Sequence, residues 1–436
     1  MVKFVFPMKK ILILAYDFPP YTSMGAQRPF SWYKYFREFG FHPVVATRQW
    51  PVEIKQKSDY VQKSAGSKTI IKETKYGTLL LAPYEPNIRD KLLLKHGEHK
   101  FSLLRKTISM IFVITSFVLP AFHNRYKIYQ VAKSYLQKNK TEVILATGEP
   151  FILFLYAKKL SEKFNIPWIA DYRDCWSQNY QTNLKPGINK FFFNSFYRFF
   201  ERKTVKTASQ IITPTPVFKN SLQQLFPKKQ ITIIPNGYEA DDFYDFKNQE
   251  SAKEVFCIGF SGSIYPFQPL ELFTECFRIF LKKKKNPKIR ISFFGTNYHT
   301  DQQNRVKKAI TGMEQYFEIT GRYPRSELYR NLKKQHLLLL FNNQKMISGK
   351  LFEYLGLKRP IIMAGNDHGP MEAIINETCS GYICDTPDEI ARKIHSCYHT
   401  FLTNGIISYS PKNLQNFERK KIVGKLAALI ENKILS

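Results

Sequence analysis

The stretch KKILILAYDFPPYTSMGAQRPF, residues 9–30, decides the fold. Its apolar run from Ile11 to Ala15 has no polar interruption, the mark of a short strand buried on both faces. After a polar loop, PFSWYKYFREFG (29–40) reads as a helix closed by Gly40. The same order of apolar run, polar loop and amphipathic helix recurs through HPVVATR, EVILATGEP, IPWIADYRD, SQIITPTP and KQITIIPNG. Short continuous apolar strands alternating with helices predict parallel sheets covered on both faces, an α/β doubly wound architecture.

Between Asn236 and Val255 the text turns polar and acidic without periodicity, and this stretch reads as a linker. The pattern then restarts with VFCIGFSGS, KIRISFFGT, YFEITGR, HLLLLFNN and RPIIMAG. Two Rossmann-like domains are therefore expected: residues 1–235, a linker at 236–255, a second domain at 256–410, and a C-terminal helix at 411–436 that folds back. A length of 436 residues with 44% hydrophobic residues suits two such cores and excludes disorder and small disulfide scaffolds.

The charge is the anomaly. A formal net charge of +31 repels itself in the folded state and points to an anionic partner, whether nucleic acid, membrane surface or phosphorylated substrate. Residues 1–200 carry 31 Lys+Arg against 13 Asp+Glu, so the first half is the more basic per residue. Within it, the segment 91–127 places Lys91, Lys95, Lys100, Arg105 and Lys106 before an apolar run that has no charged residue from Thr107 to Asn124. Four hydroxyl residues and Pro120 interrupt that run, which argues against a spanning helix. A basic amphipathic element lying in a membrane interface fits its flanks and length, and a buried core helix is the competing reading. The run Lys282–Lys285 reads as a solvated helix end before Asn286-Pro287. No helix-turn-helix, zinc finger or aromatic RNA-binding signature accompanies these cations, so nucleic acid is an unlikely partner.

The cysteines at 175, 257, 276, 379, 384 and 397 show no Cys-x-x-Cys pair and no zinc-site spacing. They read as reduced, buried thiols of a cytoplasmic protein, and the five-residue apolar run near the N-terminus is too short for a secretory signal.

In doubly wound sheets ligands bind beyond the carboxyl ends of the strands. The loops there hold the candidates: Asp17 to Pro20 with Gly25 and Arg28, Thr147 to Glu149, Asp171 to Trp176, Gly262-Ser263, Gly295-Thr296, Gly321-Arg322, and Gly349 to Glu353. Gly349-Lys350 opens a helix with Ser348 as a possible N-cap, so backbone N–H groups, the helix dipole and an ammonium converge as they would on a diphosphate. Glu353 lies on the same helix face, suited to two ribose hydroxyls. Gly25 would let its loop approach a phosphate, with Arg28 facing the ligand a turn later. Asp171, Arg173 and Asp174 could orient an acceptor hydroxyl, take its proton, or brace the loop. His42 and His123 read as structural.

At these residues the sequence resembles GT-B fold glycosyltransferases, specifically the large family four of retaining nucleotide-sugar enzymes. The motifs run in order: FPPYTSMGAQR, IPWIADYRDCW, IITPTP, IIPNGYEADDF, GFSGSIYP, and SGKLFEYLGLKRPIIMAG followed by ETCSGY. The likeness is nearest to bacterial enzymes that build surface polysaccharides, with their Arg-Asp-x-Trp loop and Gly-Lys-x-Phe-Glu-Tyr-Leu turn. It implies two Rossmann-like domains facing across a cleft, with the acceptor bound by the first. The donor, a nucleotide-diphosphate sugar, would lie mainly on the second, bound by its Gly262, Ser263, Arg322, Gly349, Lys350 and Glu353 together with Gly25 and Arg28 of the first. Catalytic or acceptor-orienting duty falls to Asp171, Arg173 and Asp174. No metal and no cofactor is expected, the chain having no Asp-x-Asp motif. The expected activity is retaining glycosyl transfer to a lipid-linked or polysaccharide acceptor by a cytoplasmic protein peripheral to the inner face of the membrane. The alternatives are a nucleotide-sugar 2-epimerase on the same fold and a non-catalytic basic scaffold for membrane or nucleic acid.

Two positions depart from the family pattern. Where many members carry a glutamate eight positions before Glu353, this chain has Lys345, and Asn342 or Asn343 is the candidate substitute. The loop after GFSGS lacks the usual arginine and Lys-Gly pair, which shifts the cationic duty to Lys350 with Arg322.

Overall fold

The computed structural model describes residues 8–21, 23–51, 57–98, 100–178, 188–246, 251, 254–296, 300–342 and 344–435. Two compact units emerge, one from residues 1–235 with 422–436 and the other from 236–421. In the first, eight strands are described: β1 (Lys9–Leu14), β2 (Phe41–Arg48), β3 (Ile70–Glu73), β4 (Thr78–Ala82), β5 (Val143–Gly148), β6 (Trp168–Tyr172), β7 (Gln210–Thr213) and β8 (Ile231–Ile233). They form one sheet in the order β3-β4-β2-β1-β5-β6-β7-β8. All pairs are parallel except β3 with β4.

Because strand side chains alternate between faces, an uninterrupted apolar run needs cover on both. Leu12, Leu14, Val44, Ala46, Ile144 and Ala146 enter one buried cluster. Their neighbours Ile11, Ile13, Val45, Val143 and Leu145 enter another, which the last helix (Arg419–Lys433) completes with Ile422, Val423, Leu426 and Ile430. The folding back expected of the C-terminal helix thus has a physical cause, an apolar sheet face that it covers.

The second unit holds β9 (Phe256–Ser261), β10 (Ile289–Phe294), β11 (Phe317–Ile319), β12 (Leu337–Phe341), β13 (Ile361–Ala364) and β14 (Gly381–Cys384). Their order is β11-β10-β9-β12-β13-β14, with every pair parallel. The same alternation sends Phe256, Ile258, Phe260, Leu337 and Leu339 to one cluster and Leu338, Leu340, Ile361 and Met363 to the other.

Several details differ from the sequence reading. The β3–β4 hairpin is an antiparallel addition, and β3 is exposed at every position, as an edge strand can be. Of the stretch read as linker, residues 247–250, 252 and 253 lie outside the described residues. Its earlier part, Ala240–Phe246, is a 3-10 segment that buries Phe243 directly against Gly356, where a Cβ would stand 2.3 Å from the ring. Five cysteines are buried free thiols as expected, but Cys379 is exposed.

The helices that matter for the sites are α1 (Met24–Tyr35), α2 (Ile88–His96) and α3 (Ser102–Val118). Ser23 caps α1 by accepting from the Ala26 N–H at 3.0 Å. Asn87 and Asp90 form a reciprocal capping box on α2. The apolar run of the 91–127 segment becomes α3, of which only Ser116 and Phe117 are buried, so it is not a core helix. Among the described residues no helix is long and apolar enough to cross a membrane.

Candidate active site

In the second unit, β9 is followed by Gly262, which takes φ +83°, the left-handed region that favours glycine. A Cβ there would stand 3.1 Å from Lys350 Cε, so the lysine lies across the glycine. Lys350 is the second residue of the helix Gly349–Leu357, whose N-cap Ser348 accepts from the Lys350 N–H. Its ammonium donates to the Ser263 carbonyl at 3.0 Å and sits 4.8 Å from the centre of the Phe260 ring. Burial pushes Lys350 down to about 8, while Glu353 acts in the other direction. Among the described residues no carboxylate lies within ion-pair distance of it. A mostly buried cation at a helix N-terminus, with no counter-ion, is an arrangement that an oxyanion would complete.

Glu353 is one turn further on, its carboxyl raised by burial against the lowering influence of Arg325, Tyr329 and Lys350. Tyr329 donates to Glu353 Oε1 at 3.1 Å and accepts from Arg325 Nε at 2.7 Å. Arg325 also pairs with Asp242 at 3.1 Å and approaches Glu353 at 3.9 Å. Arg322, expected to share the diphosphate's cationic duty with Lys350, is exposed. Arg325 was missed because nothing in the sequence marks the first residue of a short helix after Pro324 as facing Glu353. Lys345 is exposed. Asn342 is buried and spends its side chain on the 344–346 turn, donating to Gln344 O at 2.9 Å and accepting from the Gln344 N–H at 3.2 Å. It therefore braces that turn. Asn343 lies outside the described residues.

In the first unit the predicted residues group differently from expectation. Arg28 was expected to face the donor, but it is buried and binds Asp171 through Nη2 at 2.7 Å and Nε at 3.0 Å. Its Nη1 donates to the Ile234 carbonyl at 2.8 Å, and Asp171 accepts from Thr147 Oγ1 at 2.7 Å. With both side chains taken out of solvent and held, Arg28 and Asp171 tie α1 and β6 to the end of β8. Of the two carboxylates in the Asp171–Asp174 loop, Asp174 is the more exposed, with its carboxylate 3.7 Å from Arg173 Nε.

Arg173 donates to Asp17 at 2.8 Å and to the Glu149 carbonyl at 2.7 Å. Gly25 serves this arginine: a Cβ on it would stand 1.9 Å from Arg173 Nη1. The close approach that requires a glycine here is made by a guanidinium of the protein itself.

Arg173 lines a cavity of about 540 Å³ beside the ends of β1, β5 and β6, walled by residues of α3. Ser109, Phe112, Val113, Ser116 and Phe117 supply that wall. Leu103, Leu104, Met110, Ile111 and Val118 point elsewhere and are exposed, Leu103 at 78%. Glu149 stands in the cavity lining, its carboxyl raised by desolvation and by the neighbouring Asp174 and Asp17, against Arg173 and Arg125. His123 also lines it and is pushed down to about 3 by burial and by Arg125, so its ring is neutral. The structural reading of His123 had not placed it here.

With this geometry in view, the comparisons with known proteins define the class. The Burkholderia xenovorans α,α-trehalose-phosphate synthase (UDP-forming), solved with glucose-6-phosphate, superposes with a TM-score of 0.61 at 10% identity, covering 98% of this chain and 100% of that one. Sucrose-phosphate synthase from Thermosynechococcus elongatus gives 0.56 at 13% identity, covering 98% and 95%. Anabaena HepE, solved with UDP and glucose, gives 0.55 at 12% identity, covering 98% and 100%. The fold is GT-B. Residues 97–242 match the model of Glycosyltransferase Family 4, which places a glycosyltransferase family domain within this fold. No curated protein matches its sequence.

Proposed function

We propose that the chain transfers a sugar from a nucleoside diphosphate donor to a saccharide carried on a membrane lipid, in the building of a surface polysaccharide. The donor diphosphate is held in the second unit by Lys350 and the N–H groups of the Gly349–Leu357 helix, and Glu353 receives the ribose. As the sugar–phosphate bond breaks, negative charge grows on the leaving diphosphate, and Lys350 is the cation placed to meet it. The diphosphate is assigned to this cation and helix end, with no metal, and the family resemblance carries the expectation of retained configuration. The observation that carries the reading is the mostly buried Lys350 lying over Gly262, its ammonium on the Ser263 carbonyl and without an ion pair among the described residues.

The acceptor belongs to the first unit, and two features support a lipid-borne one. The outer face of α3 exposes Leu103, Ile111 and Val118, and Phe122, in the short 3-10 turn Pro120–Phe122, follows at 81% exposure. Lys91, Lys95, Lys100, Arg105 and Lys106 flank this apolar stripe, the complement of an anionic head-group layer. The cavity on the inner side of the same helix favours transfer over the 2-epimerase reading, which needs no acceptor. The test has two arms: melting the protein with UDP-, GDP- and ADP-sugars, and sedimenting it with phosphatidylglycerol vesicles. A donor that stabilises the native state must raise its melting temperature. The reading fails if no nucleotide sugar does so.

A further inference from the structure

We infer that the cavity in the first unit is an anion site, built to take a phosphate or diphosphate group borne by the acceptor saccharide, with Arg125 as its counter-cation. The inference rests on the proposed transfer reading for the acceptor's role but not for the site's existence.

Three arginines line the cavity, Arg89, Arg125 and Arg173. Two are already matched: Arg89 pairs with Asp90 at 2.9 Å and Arg173 with Asp17 at 2.8 Å. Arg125 makes no ion pair among the described residues. Its guanidinium instead lies 4.7 Å from the centre of the Tyr16 ring, a contact that orients a cation without neutralising it. A cation held partly out of water without a counter-ion costs free energy, and an anion bound beside it would offset that cost.

The second observation is independent of charge. Arg125 Nε, Arg173 Nε and the indole Nε1 of Trp176 are all buried with no hydrogen-bond partner, and all three residues line this one cavity. Trp176 is only 5% exposed, its ring stacked on Phe151 at 5.0 Å and on Phe117 at 5.2 Å, so the indole cannot swing out to find water. Buried donors are rarely left unpaired, and those of Arg125 and Trp176, beside an Arg173 Nε that Asp174 approaches only to 3.7 Å, call for an acceptor with several oxygens and negative charge. A phosphate or diphosphate supplies both. Glu149, in the same lining but not ion-paired with Arg125, is left for the saccharide's hydroxyls.

This chemistry has two sources, a free sugar phosphate or the diphosphate head of a lipid-linked saccharide, and the probes separate them. Inorganic pyrophosphate is titrated by thermal shift at 150 mM salt against a Lys350→Met parent, which disables the donor site in the second unit. The parent should be stabilised, and Lys350→Met/Arg125→Gln should bind about tenfold more weakly or worse. Arg125→Lys, which keeps the charge and loses the fork, should fall between them and guards against a folding defect in the glutamine variant. Geranyl diphosphate binding more tightly than pyrophosphate assigns the lipid head, and glucose 6-phosphate doing so assigns the free sugar phosphate. Equal stabilisation of the parent and the Arg125→Gln variant, or none by any of the three probes, overturns the inference. Because the parent lacks Lys350, a failure here leaves the donor assignment standing, and a failure of donor binding leaves this site testable.

Discussion

Lys350 lies across Gly262, with the glycine's missing Cβ leaving 3.1 Å to Lys350 Cε and the ammonium held on Ser263 O at 3.0 Å. Gly262→Ala would force a side chain into a φ of +83°, at a cost of about 1–2 kcal/mol, and push the lysine from its place. The expected result is a melting temperature lower by a few degrees together with roughly tenfold weaker nucleoside diphosphate binding. Wild-type nucleotide affinity in Gly262→Ala would separate the lysine's position from its role.

The depressed Lys350 gives a pH signature. Its folded value of about 8 lies below the ordinary 10.5, so between these values the unfolded chain holds more protons than the folded one. The burial cost is therefore full below pH 8 and is relieved as pH rises toward 10.5. Lys350→Met should make the ligand-free protein more stable at pH 7 by on the order of 1–2 kcal/mol, with the gain fading by pH 10. Denaturant melts at the two pH values measure it. A wild-type protein more stable than Lys350→Met at pH 7 would mean that the ammonium is compensated within the chain.

The Arg28–Asp171 tie predicts a stability effect without a donor-binding effect. Asp171→Ala strands a buried guanidinium and should cost about 3–5 kcal/mol, while Arg28→Met with Asp171→Leu should recover much of the loss. Nucleotide binding by the second unit should be unchanged in both. Loss of nucleotide affinity in the double variant would return Arg28 to the donor site.

The outer face of α3 predicts a binding effect without a stability effect. Leu103→Ser with Ile111→Ser and Val118→Ser changes exposed positions, so the melting temperature should hold while co-sedimentation with phosphatidylglycerol vesicles falls several-fold. Vesicle binding that survives these changes, and also survives raised salt, would count against this surface.

The strands that became the two sheets were legible because each is a short apolar run whose alternate residues serve two cores, a demand written into consecutive positions. The hairpin of β3 and β4 was not, since an edge strand exposed throughout carries no such pattern. Lys350 and Glu353 were legible as a pair because one helix turn joins them. Arg28 and Asp171 were each legible as residues at strand ends, but their closure on one another depends on β6 lying beside β5 and within reach of α1, which no local spacing records. The same holds for Gly25, read as room for a ligand and found to be room for Arg173. Arg125 was visible only as the cation that ends a charge-free run. Its lack of a partner is a property of the cavity.

The most direct measurement is the melting temperature of the wild-type protein and of Lys350→Met across a panel of UDP-, GDP- and ADP-sugars at pH 7. At least one nucleotide sugar should raise the wild-type melting temperature by several degrees at saturation and leave Lys350→Met unmoved. A panel that stabilises neither protein, or stabilises both alike, would contradict the assignment of the donor diphosphate to Lys350.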